Sequence, residues 1–419
     1  MPGEVQLTVQ TNKTTLPATG GQQLAYVLIE AMPIGAVANV QMPLNFSLVL
    51  DHSGSMSGAK LANLKKAAKL AVDRMRPRDL ASIVIFDDKV KVIAPSQPVT
   101  DPAGLKRQIE RIRDGGGTEM SRGIRKGLEE LRNGLSPGRI SRLLLLTDGE
   151  TFGDEDVCRR LAAEAGGEGI PITALGLGEQ WNEQLLDDVA QVSGGISDFI
   201  PEGQPDAILS TFEACVRVAQ ATVVQNAEMI LRLVPGVMPR AVWRVMPLIA
   251  KLGHRALSDR DVQVALGDMD REQGQSVLIE MLIPPRQPGT YRIAQAEVSY
   301  DVAATGLAGE KAKTDVILNF AADPAQAMQT NPYVMNIVEK VTAHKLQTRA
   351  LDEAAVGNIA GATQKLRAAA TRLLELGEEK LAQTALEEAE RLEQGKGLST
   401  AGTKKLRYET RKLTQKLAD

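Results

Sequence analysis

The sequence predicts an α/β domain of the doubly wound, Rossmann-like kind, inserted in a β-sandwich and followed by a C-terminal helical domain. Three observations carry that reading. Two continuous apolar runs, residues 46–50 (FSLVL) and 143–146 (LLLL), have the look of parallel strands buried on both faces, and each ends in a loop that begins with or soon reaches an aspartate. Segments of period-two alternation lie on both sides of this region. From Asn331-Pro332 onward the composition turns to Ala, Leu, Glu and Lys with helical spacing.

Taken in order, residues 4–10 (EVQLTVQ) alternate polar and apolar as a half-buried strand does, and residues 23–30 follow as a second after Pro17 and Gly20-Gly21. Residues 44–220 form the α/β domain. In it residues 59–75 are an amphipathic helix whose Lys60, Lys65, Lys66, Lys69 and Arg74 read as a solvated face. Residues 101–113 and 120–131 give two more helices on either side of Gly115-Gly116-Gly117. Beyond it, strands are expected at 223–224, 227–234, 262–266, 276–283, 291–300 and 314–320, separated by turns such as Pro235-Gly236 and Pro288-Gly289. The early strands are too few to bury a face alone, so residues 1–43 and 221–322 are expected to form one discontinuous β-sandwich. Residues 323–419 make the helical domain, with helices at 333–356, 359–376 and 378–394 and a last one at 398–417. The middle pair resembles a single tetratricopeptide-type unit, too few for an array.

Five oxygen-bearing residues fall on three separated loops: Asp51, Ser53 and Ser55 in DHSGSMSG, Thr118 in GGGTEMS, and Asp148 in LLLLTDGE. At the carboxyl ends of central strands such loops converge on the crevice where the strand order reverses. Hydroxyl and carboxylate oxygens suit a hard cation, Mg²⁺ or Mn²⁺, that keeps near-octahedral geometry and several waters. If the two aspartates act mainly through water, little negative charge touches the ion, and one position stays open for an outside carboxylate. The same three hydroxyls would also serve as helix N-caps before the runs at 59–75 and 120–131, and the sequence leaves that alternative open. The triple glycine lets the backbone pass close to the ion and present Thr118. A phosphate-cradling loop is disfavoured because no GK[ST] follows.

With these parts in this order, residues 44–220 resemble the von Willebrand factor A (vWA) domain family and its metal-ion-dependent adhesion site. The stretch 82–88 (SIVIFDD) resembles that family's second strand and turn, and 172–178 with 182–186 its late strand and helix in bacterial members. The resemblance implies metal ligation by Asp51, Ser53, Ser55, Thr118 and Asp148, with His52, Glu119, Glu150 and Thr151 around the rim. Glu119 stands where many bacterial relatives carry Asn or Asp, which implies an extra carboxylate that competes for the open position. A vWA domain flanked by a β-sandwich also resembles the layout of inter-alpha-trypsin inhibitor heavy chains. The implied function is a non-enzymatic adaptor whose ion accepts Asp or Glu from a protein partner. By analogy that partner belongs to an AAA+ ATPase system or a kinase and phosphatase signalling set.

The sequence offers less for two other classes. A metal-assisted hydrolase would need His52 as base, but it occupies the variable place of the DxSxS pattern; His254 and His344 have no HExxH company. Nucleic-acid binding would fall to the last helix, with Lys404, Lys405, Arg407, Arg411, Lys412 and Lys416, yet these also make an ordinary solvated face opposite Leu406, Leu413 and Leu417. A net charge of −3 gives no global field for nucleic acid or anionic membrane, and 3% aromatic content offers few stacking platforms. Cys158 and Cys215 are expected as small buried groups, not a disulfide framework. The acids Glu150, Asp154, Glu155 and Asp156 suit a helix start, Asp154 as N-cap. No run reaches about 18 apolar residues and no signal-peptide pattern opens the sequence, so a soluble, cytoplasmic chain is expected, with no membrane partner.

Overall fold

The computed structural model describes residues 4–415 apart from Thr19, Ala36 and Phe152. The strands β1 (Val5–Thr11), β2 (Thr15–Pro17) and β3 (Gln23–Pro33) come first. The α/β segment follows as β4 (Leu44–Asp51), α1 (Ala59–Arg74), β5 (Leu80–Phe86), β6 (Val90–Pro98), α2 (Pro102–Glu110), α3 (Met120–Arg132), β7 (Ile140–Thr147), α4 (Glu155–Gly167), β8 (Ile172–Leu177), α5 (Glu183–Val192), β9 (Ser197–Ile200) and α6 (Pro205–Ala221). The strands β10 (Thr222–Leu233), β11 (Met238–Met246), β12 (Ala250–Leu252), β13 (Arg255–Ala256), β14 (Asp261–Asp270), β15 (Gln275–Ile283), β16 (Gly289–Val302) and β17 (Leu307–Ala321) come next. Helices α7 (Pro332–Ala355), α8 (Ile359–Glu375), α9 (Glu379–Glu393) and α10 (Thr400–Glu409) close the chain.

One compact unit comprises Asn39–Gln225 with Val302–Leu307. Its sheet has the order β6-β5-β4-β7-β8-β9, parallel except for β6 at one edge. Every residue of β4 and of β7 is buried, as the uninterrupted apolar runs require of strands covered on both faces. On one face Leu44, Phe46, Leu48 and Leu50 of β4 join Leu61, Leu64, Ala68 and Val72 of α1 and Phe212 and Val216 of α6 in a single core. The other face receives α3, which comes in at two glycines. A Cβ on Gly127 would lie 2.4 Å from Val49 Cγ2 and 3.0 Å from Leu143 Cδ1, and one on Gly123 would lie 2.6 Å from Phe86. A helix that close holds the loop before it, residues 114–119, hard against the top of β4. The chain leaves β4 toward β5 on one side and returns to β7 on the other, so the loops after β4 and β7 diverge and open the crevice.

The other compact unit comprises Met1–Ala38, Asn226–Asp301 and Ala308–Asp419. It holds a five-stranded sheet, β1-β3-β15-β11-β12, and a six-stranded sheet, β13-β14-β10-β16-β17-β2. Helix α7 lies on the five-stranded sheet: Leu28, Trp243, Val245 and Leu278 share a core with Val334, Ile337, Val341 and the apolar seam of α8 and α9. Sandwich and helices are therefore one packed body.

Two local expectations are revised. Strand β11, absent from the sequence reading, lies between β15 and the edge strand β12; Pro239 breaks the alternation and sits where the register with β15 shifts. The last helix is shorter than expected, ending at Glu409 and passing into a 3₁₀ turn over Thr410–Lys412, with Leu406 and Leu413 inward. Lys404, assigned to a solvated basic face, is buried, and Lys416 and Leu417 lie outside the described residues. Among the described residues no helix is long and apolar enough to cross a membrane.

Candidate metal centre

The five predicted ligands lie on three loops at the carboxyl end of the α/β sheet. Asp51 closes β4 and is fully buried. Its Oδ1 accepts the Ser53 backbone N–H at 2.8 Å and its Oδ2 accepts the Thr147 hydroxyl at 2.5 Å. Burial pushes the Asp51 carboxyl above its ordinary pKa; the Thr147 and Ser53 hydrogen bonds oppose the rise, and the charge of Asp148 adds to it.

Ser53 Oγ lies 3.1 Å from Ser55 Oγ, and the Ser55 hydroxyl donates to Asp148 Oδ1 at 2.7 Å, so one hydrogen-bonded chain joins the first loop to the third. Thr118 arrives from the glycine loop. A Cβ on Gly149 would sit 3.4 Å from Thr118 Oγ1 and 3.7 Å from Ser55 Oγ, which puts both hydroxyls around the one residue after Asp148. The glycine loop is fastened to the loop after β4 by Gly115 N–H to His52 O at 2.8 Å and Gly54 N–H to Gly116 O at 3.1 Å. A Cβ at Gly115 would meet the carboxylate of Asp87 and one at Gly116 that of Asp88, so a larger residue at either position would have to push an aspartate side chain aside.

Capping does not account for the three hydroxyls. Ser53 precedes a one-turn 3₁₀ helix without making a side-chain cap bond. The N-cap of α1 is Gly58, and that of α3 is Glu119, whose side chain makes no cap bond. The oxygens converge on one another and on Asp148 instead. Among the described residues no group of three or more His, Cys, Asp or Glu is arranged to hold a metal ion, so a cation here would lean on hydroxyl donors, a set suited to a hard ion. The residues fit such an ion: Ser53, Ser55 and Thr118 would hold it, with Asp51 and Asp148 supplying charge.

The rim residues divide. His52 Nδ1–H donates to Arg113 O at 2.8 Å, and Nε2 lies 3.7 Å from Asp87 Oδ2, so the ring shapes the glycine loop. Glu119 pairs through Oε2 with Arg122 at 2.7 Å, one turn along α3. Glu150 is exposed; Thr151 is buried, accepts the Met120 N–H at 3.2 Å and ties the second loop to the third. Asp154 holds the N-cap position of α4 without capping it; its carboxylate accepts the Ser121 N–H at 2.7 Å and the Thr151 hydroxyl.

One residue of the site escaped the sequence reading. Lys60, grouped with the solvated lysines of α1, points its ammonium at Asp148 Oδ2 at 2.8 Å and lies 3.6 Å from Glu202 Oε1. Burial lowers its pKa, but the Asp148 and Glu202 carboxylates outweigh burial and hold it above the ordinary value. The only sequence signal is its place in the first turn after DHSGSMSG.

A sheet of this order with one antiparallel edge strand, and hydroxyl-bearing loops above β4 and β7, defines a von Willebrand factor type A domain, and the model of that family matches residues 45–202. A second model, that of the Sll0103-like, C-terminal alpha-helical domain, matches residues 332–416. The uncharacterized protein sll0103 of Synechocystis is 32% identical over 274 residues, covering 64% of this chain and 63% of that protein. Human inter-alpha-trypsin inhibitor heavy chain H2 is 27% identical over 170 residues, covering 38% of this chain and 18% of that one. The matches thus span less than two thirds of these curated relatives. Among solved structures, a von Willebrand factor type A protein from Catenulispora acidiphila superposes with a TM-score of 0.77 at 18% identity, over 97% of this chain and 96% of that one, a likeness of fold.

Proposed function

We propose that the chain is a non-enzymatic, metal-dependent protein-binding module in which Mg²⁺ or Mn²⁺, held by Asp51, Ser53, Ser55, Thr118 and Asp148, accepts an Asp or Glu side chain from a partner protein. The observation that carries this reading is the run of oxygens from Ser53 through Ser55 to Asp148, with Thr118 beside it and no capping duty for any of the hydroxyls. The ion supplies an electrophilic position for a carboxylate, and neutral hydroxyl ligands leave most of its charge available. Against hydrolysis, His52 has Nδ1 on a backbone carbonyl and Nε2 toward Asp87. Affinity would come from the surface around the ion, because a single rim carboxylate contact is modest. By analogy with bacterial vWA proteins, the partners to try first are an AAA+ ATPase system and a kinase and phosphatase signalling set.

The test is affinity capture with the intact chain, in Mg²⁺ and in EDTA, with Asp51→Ala as control and mass spectrometry as readout. A protein retained only with metal and intact site supports adhesion. Retention indifferent to both removes the metal-dependent role.

A further inference from the structure

We propose that Lys60 is a built-in counter-cation of the metal centre that competes with the ion for Asp148, and that Glu202 is the acceptor onto which it yields. The inference rests on the metal reading above and concerns how tightly the site holds its ion.

The Asp148 side chain is fully buried, and both its oxygens are engaged from within the chain: Oδ1 by the Ser55 hydroxyl at 2.7 Å, Oδ2 by the Lys60 ammonium at 2.8 Å. A buried carboxylate needs a compensating charge, and here a lysine supplies it. A dication settling among Ser53, Ser55 and Thr118 meets that ammonium beside one of the two carboxylates meant to balance it. Like charges a few ångströms apart repel strongly in a shielded crevice, so Lys60 lowers the site's affinity for the ion.

Lys60 is not locked in place. It is anchored in the first turn of α1, its side chain retains 19% exposure, and a second carboxylate, the 60% exposed Glu202 in the loop between β9 and α6, stands 3.6 Å from the same Nζ. Lysine has four rotatable bonds and is the basic side chain suited to exchanging one oxygen partner for another. Glu202 therefore offers a destination that keeps the ammonium paired when Asp148 turns its charge toward the ion. On this arrangement Asp148 serves the lysine or the ion, and the exchange sets how much free Mg²⁺ is needed before the site fills.

Titrating the intact chain with Mn²⁺, by calorimetry and by electron paramagnetic resonance of the free ion, tests this. Lys60→Met is expected to bind Mn²⁺ at least tenfold more tightly than the unaltered chain, Lys60→Arg to stay within about threefold of it, and Glu202→Gln to bind more weakly. Circular dichroism checks that each variant folds, and Lys60→Gln stands in should the methionine variant not. Equal or weaker binding by Lys60→Met and Lys60→Gln, with Mn²⁺ still bound by the unaltered chain and lost in Asp148→Ala, overturns the counter-cation role and leaves the metal reading intact. Absence of Mn²⁺ binding in the unaltered chain and in both Lys60 variants removes the metal reading and this inference with it.

Discussion

Thr147 donates its hydroxyl to Oδ2 of Asp51 at 2.5 Å, tying the last residue of β7 to the last residue of β4 below the candidate metal centre. Both residues are fully buried, so the bond has no water to replace it. Thr147→Val keeps the shape and removes the donor. It is expected to cost about 1–3 kcal/mol, the usual penalty for leaving a buried acceptor short of a partner. Thr147→Ser should recover most of the loss. Urea denaturation in EDTA, where no ion contributes, measures both; a valine variant as stable as the unaltered chain would show the bond to be dispensable.

A ligand that binds only the folded chain stabilises it by mass action, about 2.7 kcal/mol at a hundred times its Kd. Saturating Mg²⁺ is therefore expected to raise the melting temperature of the α/β unit relative to EDTA. Ser55→Ala removes the hydroxyl that bonds Asp148 Oδ1, and Thr118→Ala removes the one contributed by the glycine loop. Each should abolish most of the Mg²⁺ shift while changing the melting point in EDTA much less. Superimposable curves with and without Mg²⁺ for the unaltered chain would contradict an ion at these residues.

The strands that carry the site were legible because burial on both faces favours apolar residues: Phe46 to Leu50 and Leu143 to Leu146 read directly as core, and the one polar residue among them, Ser47, accepts the Ser82 hydroxyl. The convergence of Ser53, Ser55, Thr118 and Asp148 was legible because oxygen-bearing residues at this spacing follow the ends of two buried strands. Lys60 was not, since helical periodicity places it on the polar side of α1 and only the tertiary approach of β7 brings Asp148 beneath it. Asp154 illustrates the same gap. Its position before α4 is right for a cap, but its carboxylate is drawn to Ser121 N–H across the loop. Strand β11 was hidden by Pro239 and by arginines at 240 and 244 that blur the alternation.

Glu119 follows the ligand threonine, and its sequence position alone suggests a carboxylate competing for the ion. In the structure its Oε2 pairs with Arg122 at 2.7 Å. Glu119→Ala is therefore expected to leave Mn²⁺ affinity within about threefold of the unaltered chain, the range an exposed ion pair normally influences. Equilibrium titration with Mn²⁺ decides the matter. A tightening beyond tenfold would put the Glu119 carboxylate back among the groups that compete at the ion.

His344 lies buried in α7, its Nδ1 2.8 Å from Thr410 Oγ1 and its ring edge-on to Trp243 at 6.4 Å between centroids. Burial first, and then the positive charges of Arg411 and Arg407, push its pKa down to about 3. In the unfolded chain an imidazole titrates near ~6.5. Between these values the unfolded chain binds a proton that the folded chain refuses, so stability rises with pH across the window. The contribution is complete above the unfolded pKa and is lost as pH falls below it, at up to ~1.4 kcal/mol per pH unit from this one group. His344→Gln keeps a polar side chain and removes the titration. Denaturant stability measured at pH 7.5 and at pH 5 should fall more steeply in the unaltered chain than in His344→Gln, by roughly 2 kcal/mol over that interval if the group acts alone. Equal slopes for the two chains would mean that His344 takes up its proton in the folded state as readily as in the unfolded one, and that the packing of α7 against Thr410 and Trp243 tolerates a charge.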